Sequence, residues 1–237
     1  MIVLRRSKLK HDFLSLFQEK HFKFKQCKGG IAIFVEQKHA NNTVVLETGV
    51  ENDEEFVVVK INTVSPPLVI MAIYGPQSNN KKAQIESLWS KYVGLWKKYT
   101  DLGWNLIIAG DLNAAIGNSC GLTNNDPSVN RAGELIIKAV QDLNLTVLNS
   151  MDKDDQRTHI DRSSDSSRCL DYVISNIPHK VKEFKLDNNY IATPYRVVMK
   201  KAEPNSRKFS DHKSLVALFE LDPAEVKKTV QPTNVKR

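Results

Sequence analysis

Six polar side chains stand at the ends of apolar runs that are short enough to be β-strands. They are a phenol, an amide, an imidazole and three carboxylates: Tyr74, Asn113, His212, Asp111, Asp171 and Asp211. Strand ends that border loops are where a rigid sheet presents catalytic groups into a cleft. Carboxylates bind hard divalent cations, usually Mg²⁺, and a histidine oriented by an aspartate can transfer protons or stabilise charge that develops on phosphorus. These residue types therefore indicate metal-assisted chemistry at a phosphate group.

Each of these pieces also has an ordinary structural explanation when it is taken alone. The Asp-x-Asn at 111–113 is a common turn sequence, and a tyrosine before Gly-Pro, as in 73–76, is usually a packing residue. The Ser-Asp-His at 210–212 occurs by chance in many proteins. What favours a site is that all of them fall at strand ends of one chain.

The hydrophobic periodicity predicts the elements that would hold these residues. Apolar runs predict β-strands at 31–35, 56–61, 68–74, 105–110, 169–174 and 215–219. Helical spacing predicts helices at 11–20, 81–99 and 130–145. The second helix carries an apolar stripe that should pack in the core: Ile85, Leu88, Trp89, Tyr92, Leu95, Trp96 and Tyr99. We predict one domain of packed sheets with outer helices at 1–221 and a linker or tail at 222–237.

The composition excludes several classes of protein. The chain has 237 residues, of which 41% are hydrophobic and 26% charged, unlike disordered, collagenous or disulfide-rich chains. No apolar run approaches the ~18 residues of a membrane span, and no signal-peptide pattern follows Met1. Cys27, Cys120 and Cys169 form no Cys-x-x-Cys pair, which favours a reducing compartment and argues against a zinc site.

Positive charge is concentrated in two stretches of the chain. The formal net charge is +7, and residues 1–28 hold eight Lys or Arg against two acidic residues, a local +6. Residues 196–213 hold six against two, a local +4. Basic stretches suit a polyanion such as nucleic acid, although a solvated basic face would have the same composition.

Six stretches, taken in chain order, form a combined motif: Gly-Gly-Ile-Ala-Ile-Phe-Val at 29–35, Ile-Tyr-Gly-Pro at 73–76, Gly-Asp-Leu-Asn-Ala at 110–114, Asn-Arg-Ala-Gly-Glu-Leu at 130–135, Leu-Asp-Tyr-Val-Ile at 170–174 and Ser-Asp-His-Lys-Ser-Leu-Val-Ala at 210–217. They resemble the motifs of the endonuclease/exonuclease/phosphatase superfamily, which includes apurinic endonucleases, pancreatic-type deoxyribonucleases and inositol-polyphosphate phosphatases. The resemblance is greatest to the endonuclease domain of non-LTR (LINE-type) retrotransposons, and it covers about residues 28–220.

The resemblance implies an α/β (α+β) fold, a four-layer sandwich in which two packed, mainly antiparallel β-sheets are flanked by helices. It also implies Mg²⁺-dependent phosphodiester hydrolysis, with Mn²⁺ as an alternative ion, by which the protein would nick target DNA. Asp111 would then orient or deprotonate the attacking water, Asn113 would hold a phosphate oxygen and Tyr74 would contact the scissile phosphate.

The same resemblance implies roles for the remaining residues and for partners. His212 would stabilise the pentacovalent transition state, with Asp171 fixing its ring, and Asp211 would bind the metal. Asp111 would be a second metal ligand. The implied partner is DNA, joined by a reverse transcriptase domain if the chain is part of a longer polyprotein. No membrane partner is expected, and we expect an intracellular monomer that is nuclear if it acts on genomic DNA.

The start of the chain departs from the family's pattern. The family has a first strand with an Asn and a second strand that ends in a metal-binding Glu. Residues 1–4 resemble the second strand, but Arg5 and Arg6 stand where the Glu and the following Thr would be, and two cations there would repel Mg²⁺. The first strand has no counterpart. Glu19 is the acidic residue that could substitute as a ligand. His159, where the family usually has an aromatic residue, could stack or contact a DNA groove, but a surface position is expected.

These departures leave three functional hypotheses. The first is a metal-dependent DNA endonuclease. The second is a catalytically impaired copy, truncated or adopted by its host, that keeps the fold and binds nucleic acid. The third is a phosphatase of the same fold that acts on small phosphate esters, against which the 130–135 stretch and the basic flanks argue.

Overall fold

The computed structural model shows how the apolar runs assemble around one large sheet. It describes residues 3–6, 31–49, 55–77, 80–153, 156–160, 167–187 and 212–224. The helix predicted at 11–20, the predicted ligands Glu19 and Asp211, and most of both basic stretches lie outside these residues.

The described part of the chain contains three α-helices, two short 3-10 helices (Leu148–Met151 and Pro178–Lys180) and a series of short strands. The helices are α1 (Gln37–Ala40), α2 (Lys82–Asp101) and α3 (Arg131–Asp142). The strands are β1 (Val3–Arg6), β2 (Ile31–Phe34), β3 (Thr43–Gly49), β4 (Glu55–Ile61), β5 (Leu68–Tyr74), β6 (Asn105–Asp111), β7 (Thr146–Val147), β8 (His159–Ile160), β9 (Ser167–Arg168), β10 (Asp171–Ser175), β11 (Val181–Asp187) and β12 (Ser214–Phe219).

The large sheet has six strands in the order β3-β4-β5-β6-β10-β7. Neighbouring strands pair antiparallel except β5 and β6, which run parallel with Ala72 beside Ala109. A parallel pair needs a long crossover, which here contains the 20-residue α2. Because of this crossover, the carboxyl-terminal ends of β5 and β6 lie side by side at one edge of the sheet.

One face of the large sheet packs against α2 and α3. All seven residues predicted as the apolar stripe of α2 are buried. The ring of Trp89 packs edge to face against Tyr92 and Trp96, with centroids 5.5 and 6.0 Å apart. On the exposed side, Arg131 of α3 forms an ion pair with Glu86 of α2 at 2.7 Å. The two helices therefore form one outer layer, in which each helix packs on the sheet and the ion pair links one helix to the other.

The other face of the large sheet packs against a smaller layer. Ile70 of β5, Ile107 of β6 and Val173 of β10 share a buried cluster with Phe184 and Leu186 of β11. Within the described residues, the smaller layer comprises the antiparallel pairs β1–β2 and β11–β12. A large sheet, a small second sheet and flanking helices confirm the predicted fold class.

The two-residue strands β7, β8 and β9 were not predicted, and two longer strands, β3 and β11, were missed for different reasons. β3 lies at an edge of the large sheet and carries a β-bulge between Val45 and Glu47, which breaks its alternation. β11 alternates charged residues with the buried Phe184 and Leu186, as a strand covered on one face does. The predicted strands and helices that lie in described residues are present, with ends that differ by up to three residues.

The last described residues are hydrogen-bonded to the loop before β5. Ser65 N donates to Asp222 O at 3.0 Å, and Ala224 N donates to Thr63 O at 2.9 Å. The boundary at 221/222 stays a prediction. None of the helices in the described ranges has the length and apolar character needed to span a membrane.

Candidate active site

Three of the predicted site residues meet at one edge of the large sheet. Tyr74 ends β5, Asp111 ends β6 and Asp171 begins β10. β5 and β6 run parallel and β10 runs antiparallel to β6, so these three ends lie at the same edge. Asp111 and Asp171 are direct partners in the register of β6 and β10.

The alternation of side chains decides which face of the sheet these residues occupy. Ile107, Val173 and Ala109 belong to the cluster that packs against the smaller layer. Side chains along a strand alternate with a period of two, so Asp111 and Asp171 lie on that same face. The two carboxylates therefore lie at the end of the space between the two sheets, where buried packing gives way to the loops.

His212 reaches these carboxylates from the smaller layer. It lies just before β12, forms an isolated backbone bridge with His159, and is followed by Lys213, whose N–H donates to Thr158 O at 2.7 Å. These contacts place His212 Nε2 4.0 Å from Asp111 Oδ2. The surface position expected for His159 is wrong: the residue is half-buried, because its ring packs edge-on against His212 with centroids 4.7 Å apart.

The hydroxyl of Thr158 organises Asp171. It accepts hydrogen bonds from the backbone N–H groups of Leu170 and Asp171, both at 3.0 Å, and donates to Asp171 Oδ2 at 2.7 Å. His212 Nδ1 lies 2.8 Å from the same oxygen. Because an ionised carboxylate only accepts, Nδ1 carries the hydrogen of this bond and Nε2 is directed towards Asp111. Thr158 is fully buried, whereas the side chains of Asp171 and His212 are partly exposed.

Thr158 is a candidate functional residue that the motif analysis did not identify. Its hydroxyl has no periodicity or charge to mark it in the sequence. Only the family resemblance could have identified Thr158 from the sequence. Thr158 directly precedes position 159, where the family usually has an aromatic residue.

Asn113 is held in a left-handed backbone conformation next to Asp111. Its φ is +49°, its N–H donates to Asp111 Oδ1 at 3.0 Å, and its Nδ2 donates to Gly75 O at 2.7 Å. Gly75 N in turn donates to Asp111 O at 2.8 Å. The turn after β5 and the turn after β6 are thereby tied to each other, which fixes the direction of the Asp111 carboxylate.

Tyr74 is placed on the same edge by β5. Its hydroxyl accepts a hydrogen bond from Gln77 Nε2 at 2.9 Å. The register of the parallel strands β5 and β6 pairs Ala72 with Ala109. Two residues further along both strands, the same register places Tyr74 beside Asp111. The phenol is therefore a neighbour of the carboxylates along the sheet edge.

Asn149 and Cys169 support the start of β10 from within the protein. Asn149 Oδ1 accepts from Val173 N at 3.1 Å, and its Nδ2 donates to Asp171 O at 3.0 Å. Cys169 is fully buried, and burial raises the pKa of its thiol well above the ordinary value. A thiol held neutral in this way is a packing group rather than a nucleophile.

Asp111, Asp171 and His212 form a group that could hold a metal ion. One ligand atom from each lies within 4.8 Å of the other two. Carboxylates suit Mg²⁺ and Mn²⁺, whereas imidazole also suits later transition metals, so the donors fit a divalent ion without selecting one. Asp211 and Glu19 lie outside the described residues, and their roles as ligands stay predictions.

No family model and no curated protein matches the chain. Solved structures share its fold. The 3′-5′ exonuclease NExo from Neisseria meningitidis has a TM-score of 0.62 at 16% identity, over 92% of this chain and 88% of that one. A variant of the 3′ phosphatase NExo from Neisseria, bound to a product DNA hairpin, has a TM-score of 0.61 at 15% identity, over 92% and 88%.

A retrotransposon domain has the same fold. The endonuclease domain of TRAS1, a telomere-specific non-LTR retrotransposon, has a TM-score of 0.53 at 16% identity, over 93% of this chain and 80% of that one. At these identities the likeness shows the fold alone, which this chain shares with an exonuclease, a 3′ phosphatase and a retrotransposon endonuclease domain.

Proposed function

We propose that this chain is a divalent-metal-dependent nuclease that cuts phosphodiester bonds of DNA, in the manner of a retrotransposon endonuclease. The observation that carries the proposal is the alignment of Thr158, Asp171 and His212, which directs the imidazole Nε2 towards Asp111 Oδ2 at 4.0 Å. A carboxylate that can take a proton and an imidazole that can stabilise negative charge thus face each other at one end of the space between the two sheets.

In-line attack of water at phosphorus needs a base for the water proton and donors for the charge that develops on the phosphate. Asp111, steered by the N–H of Asn113, orients the water and accepts its proton. His212, held by Asp171 through its Nδ1 hydrogen, acts in its protonated form, which also carries a hydrogen on Nε2 and donates it in a hydrogen bond to a phosphate oxygen. The attacking oxygen bonds to phosphorus as the bond to the leaving oxygen breaks, and the phosphate stays on one side of the nick.

A bound divalent ion would neutralise the phosphate and the leaving oxygen. Asp111 would hold that ion together with Asp211, the second predicted ligand, which leaves His212 to contact the phosphate. Tyr74 and the amide of Asn113 would donate to the remaining phosphate oxygens. Mg²⁺ is the proposed ion, with Mn²⁺ as the alternative.

The named relatives support DNA as the substrate class. NExo is described as an exonuclease and as a 3′ phosphatase with a DNA product, and TRAS1 contributes a retrotransposon endonuclease. The basic stretches at 1–28 and 196–213 supply the charge that a DNA partner needs. A nuclear location and a reverse transcriptase domain as partner belong to the same proposal.

The test is nicking of supercoiled plasmid by the purified chain with Mg²⁺, Mn²⁺ or EDTA. We expect nicking that EDTA abolishes and that His212→Ala and Asp111→Ala each reduce by about 10²–10⁴-fold. The control variant is Lys138→Ala, which changes an exposed side chain of α3 and should nick the plasmid as the wild type does. Undiminished nicking by His212→Ala, or nicking in EDTA, would contradict the proposal.

Two other outcomes would favour the remaining hypotheses. A folded chain that binds DNA without cutting it, with affinity that falls steeply with salt, would favour the impaired copy. An oligonucleotide with a 3′-phosphate is included because one relative is described as a 3′ phosphatase. Release of phosphate without internal cleavage would favour action on phosphate monoesters.

A further inference from the structure

Asn130 connects the start of α3 to the turn that carries Asn113. As the N-cap residue of α3, its Oδ1 accepts from Gly133 N at 2.8 Å. The same oxygen accepts from Ala115 N at 3.1 Å, and Nδ2 donates to Asn113 O at 3.3 Å. One side chain therefore satisfies the helix end and two backbone groups of the turn.

The orientation of this amide follows from its partners. Two backbone N–H groups, those of Gly133 and Ala115, point at one end of the side chain, so that end is the oxygen. The NH₂ group then faces Asn113 O, which can only accept. The backbone N–H of Asn130 also donates to Ala115 O at 3.1 Å, which locks the two segments together.

α3 is a rigid support for this contact. A Cβ placed on Gly133 would lie 1.9 Å from Ala115 O, so the helix approaches the turn as closely as a glycine allows. Arg131, one residue into the helix, is paired with Glu86 of α2 at 2.7 Å. The first turn of α3 is thus pressed against 113–115 on one side and joined to α2 on the other.

We infer that Asn130 is a positioning residue for the proposed phosphodiester cleavage, acting through Asn113. Three hydrogen bonds hold Asn113 at φ +49°: its N–H to Asp111, its side chain to Gly75, and its carbonyl to Asn130. The hydrogen bond from Asn130 to the Asn113 carbonyl is the one that comes from the outer helix layer. Without it, the turn loses the support that keeps the Asn113 N–H and amide directed at Asp111 and at the phosphate.

The inference rests on the proposed function, and three substitutions separate positioning from helix capping. Asn130→Asp keeps an oxygen that caps α3, has no hydrogen to donate to Asn113 O, and adds charge. Asn130→Ser caps α3 without added charge, and its shorter side chain cannot accept from Gly133 N and reach Asn113 O at the same time. Asn130→Ala loses both contacts. We expect the Asp and Ser variants to melt within about 2 °C of the wild type, and the Ala variant about 2–4 °C lower.

The kinetic readout is a split between kcat and KM in plasmid nicking. Loss of one hydrogen bond should lower kcat by about five- to tenfold in both Asn130→Asp and Asn130→Ser, with KM little changed. In an Asn113→Ala background the effect of Asn130→Ser should be smaller, because the side-chain amide of residue 113 is gone and only its backbone N–H remains to be positioned. Wild-type kcat in Asn130→Ser, or an undiminished effect in the Asn113→Ala background, would overturn the inference.

A second readout does not depend on activity. The side-chain amide signals of Asn113 in an NMR spectrum should shift or broaden in Asn130→Ser, while the indole N–H signals of Trp89 and Trp96 in the α2 core stay in place. If the wild-type chain does not nick DNA, the proposed function fails while this measurement still decides the contact. Unmoved Asn113 signals would show that Asn130 only caps α3.

Discussion

Asp111 and Asp171 lie directly across from each other on the antiparallel strands β6 and β10. Residues paired in this way share a face of the sheet, yet the two carboxylates have different neighbours. Asp111 Oδ1 accepts from the N–H of Asn113, whereas Asp171 Oδ2 accepts from the hydroxyl of Thr158 and binds His212. The two carboxylates therefore have separate contacts, Asp111 with the turn at Asn113 and Asp171 with Thr158 and the imidazole of His212.

Removal of the Thr158 hydroxyl should weaken both the fold and the activity. Thr158→Val keeps the shape but leaves the buried N–H groups of Leu170 and Asp171 without their acceptor. We expect a loss of about 1–3 kcal/mol in the free energy of unfolding, measured with denaturant. Nicking should fall further than this instability explains. Thr158→Ser is the matched control and should retain both properties, and equal nicking by the Val variant would refute the role.

Asp171→Asn should uncouple the histidine without disturbing the sheet. The new amide can donate as well as accept, so it no longer holds the hydrogen of His212 on Nδ1. We expect nicking to fall by about 10²–10⁴-fold while the melting temperature changes little. A variant that keeps more than about a tenth of wild-type nicking would show that the Asp171–His212 contact is not needed.

A methyl group at Gly110 should disrupt the site edge, whereas one at Gly94 should not. Gly110 has φ +143°, and a Cβ there would lie 2.0 Å from Ile73 O. Gly110→Ala should cost at least about 2 kcal/mol of unfolding free energy. Gly94 lies on α2 with no atom within 4 Å of its Cβ position, so Gly94→Ala should add about 0.5–1 kcal/mol. Chemical denaturation of both variants checks this, and equal effects would contradict it.

Glu47 should contribute stability at neutral pH that disappears in acid. Burial acts to raise the pKa of Glu47, but hydrogen bonds from Lys98 and Tyr99 outweigh it and lower the pKa below the ordinary 4.5. A carboxyl whose pKa is lower in the folded chain stabilises the fold above the ordinary value and loses this effect as pH falls through the folded value.

The measurement is the denaturation midpoint of wild type and Glu47→Gln across this range. The variant should be less stable than the wild type at pH 7, and the difference should shrink as the pH falls below 4.5. A difference that stays constant with pH would mean that the ion pair with Lys98 adds nothing to stability.

The sequence alone was enough to predict the helices and strands whose hydrophobic pattern is complete within one short stretch of the chain. The apolar stripe of α2 follows from helical spacing, and β5 follows from seven consecutive residues of which six are buried. Edge and one-sided strands were missed, because a bulge in β3 and the charged residues of β11 remove the pattern. The same local reasoning identified Tyr74, Asp111 and Asp171 as strand-end residues.

The contacts within the site depend on the tertiary structure. Thr158 is 13 residues and His212 is 41 residues from Asp171 in the sequence, yet both form a hydrogen bond with the same oxygen, Asp171 Oδ2. Only the parallel pairing of β5 with β6 and the antiparallel pairing of β10 bring the strand ends to one edge. The sequence by itself determined which residues could do chemistry and which segments form strands. Their distances were decided by strand order and register, because hydrogen bonds between distant segments leave no periodic trace in the chain.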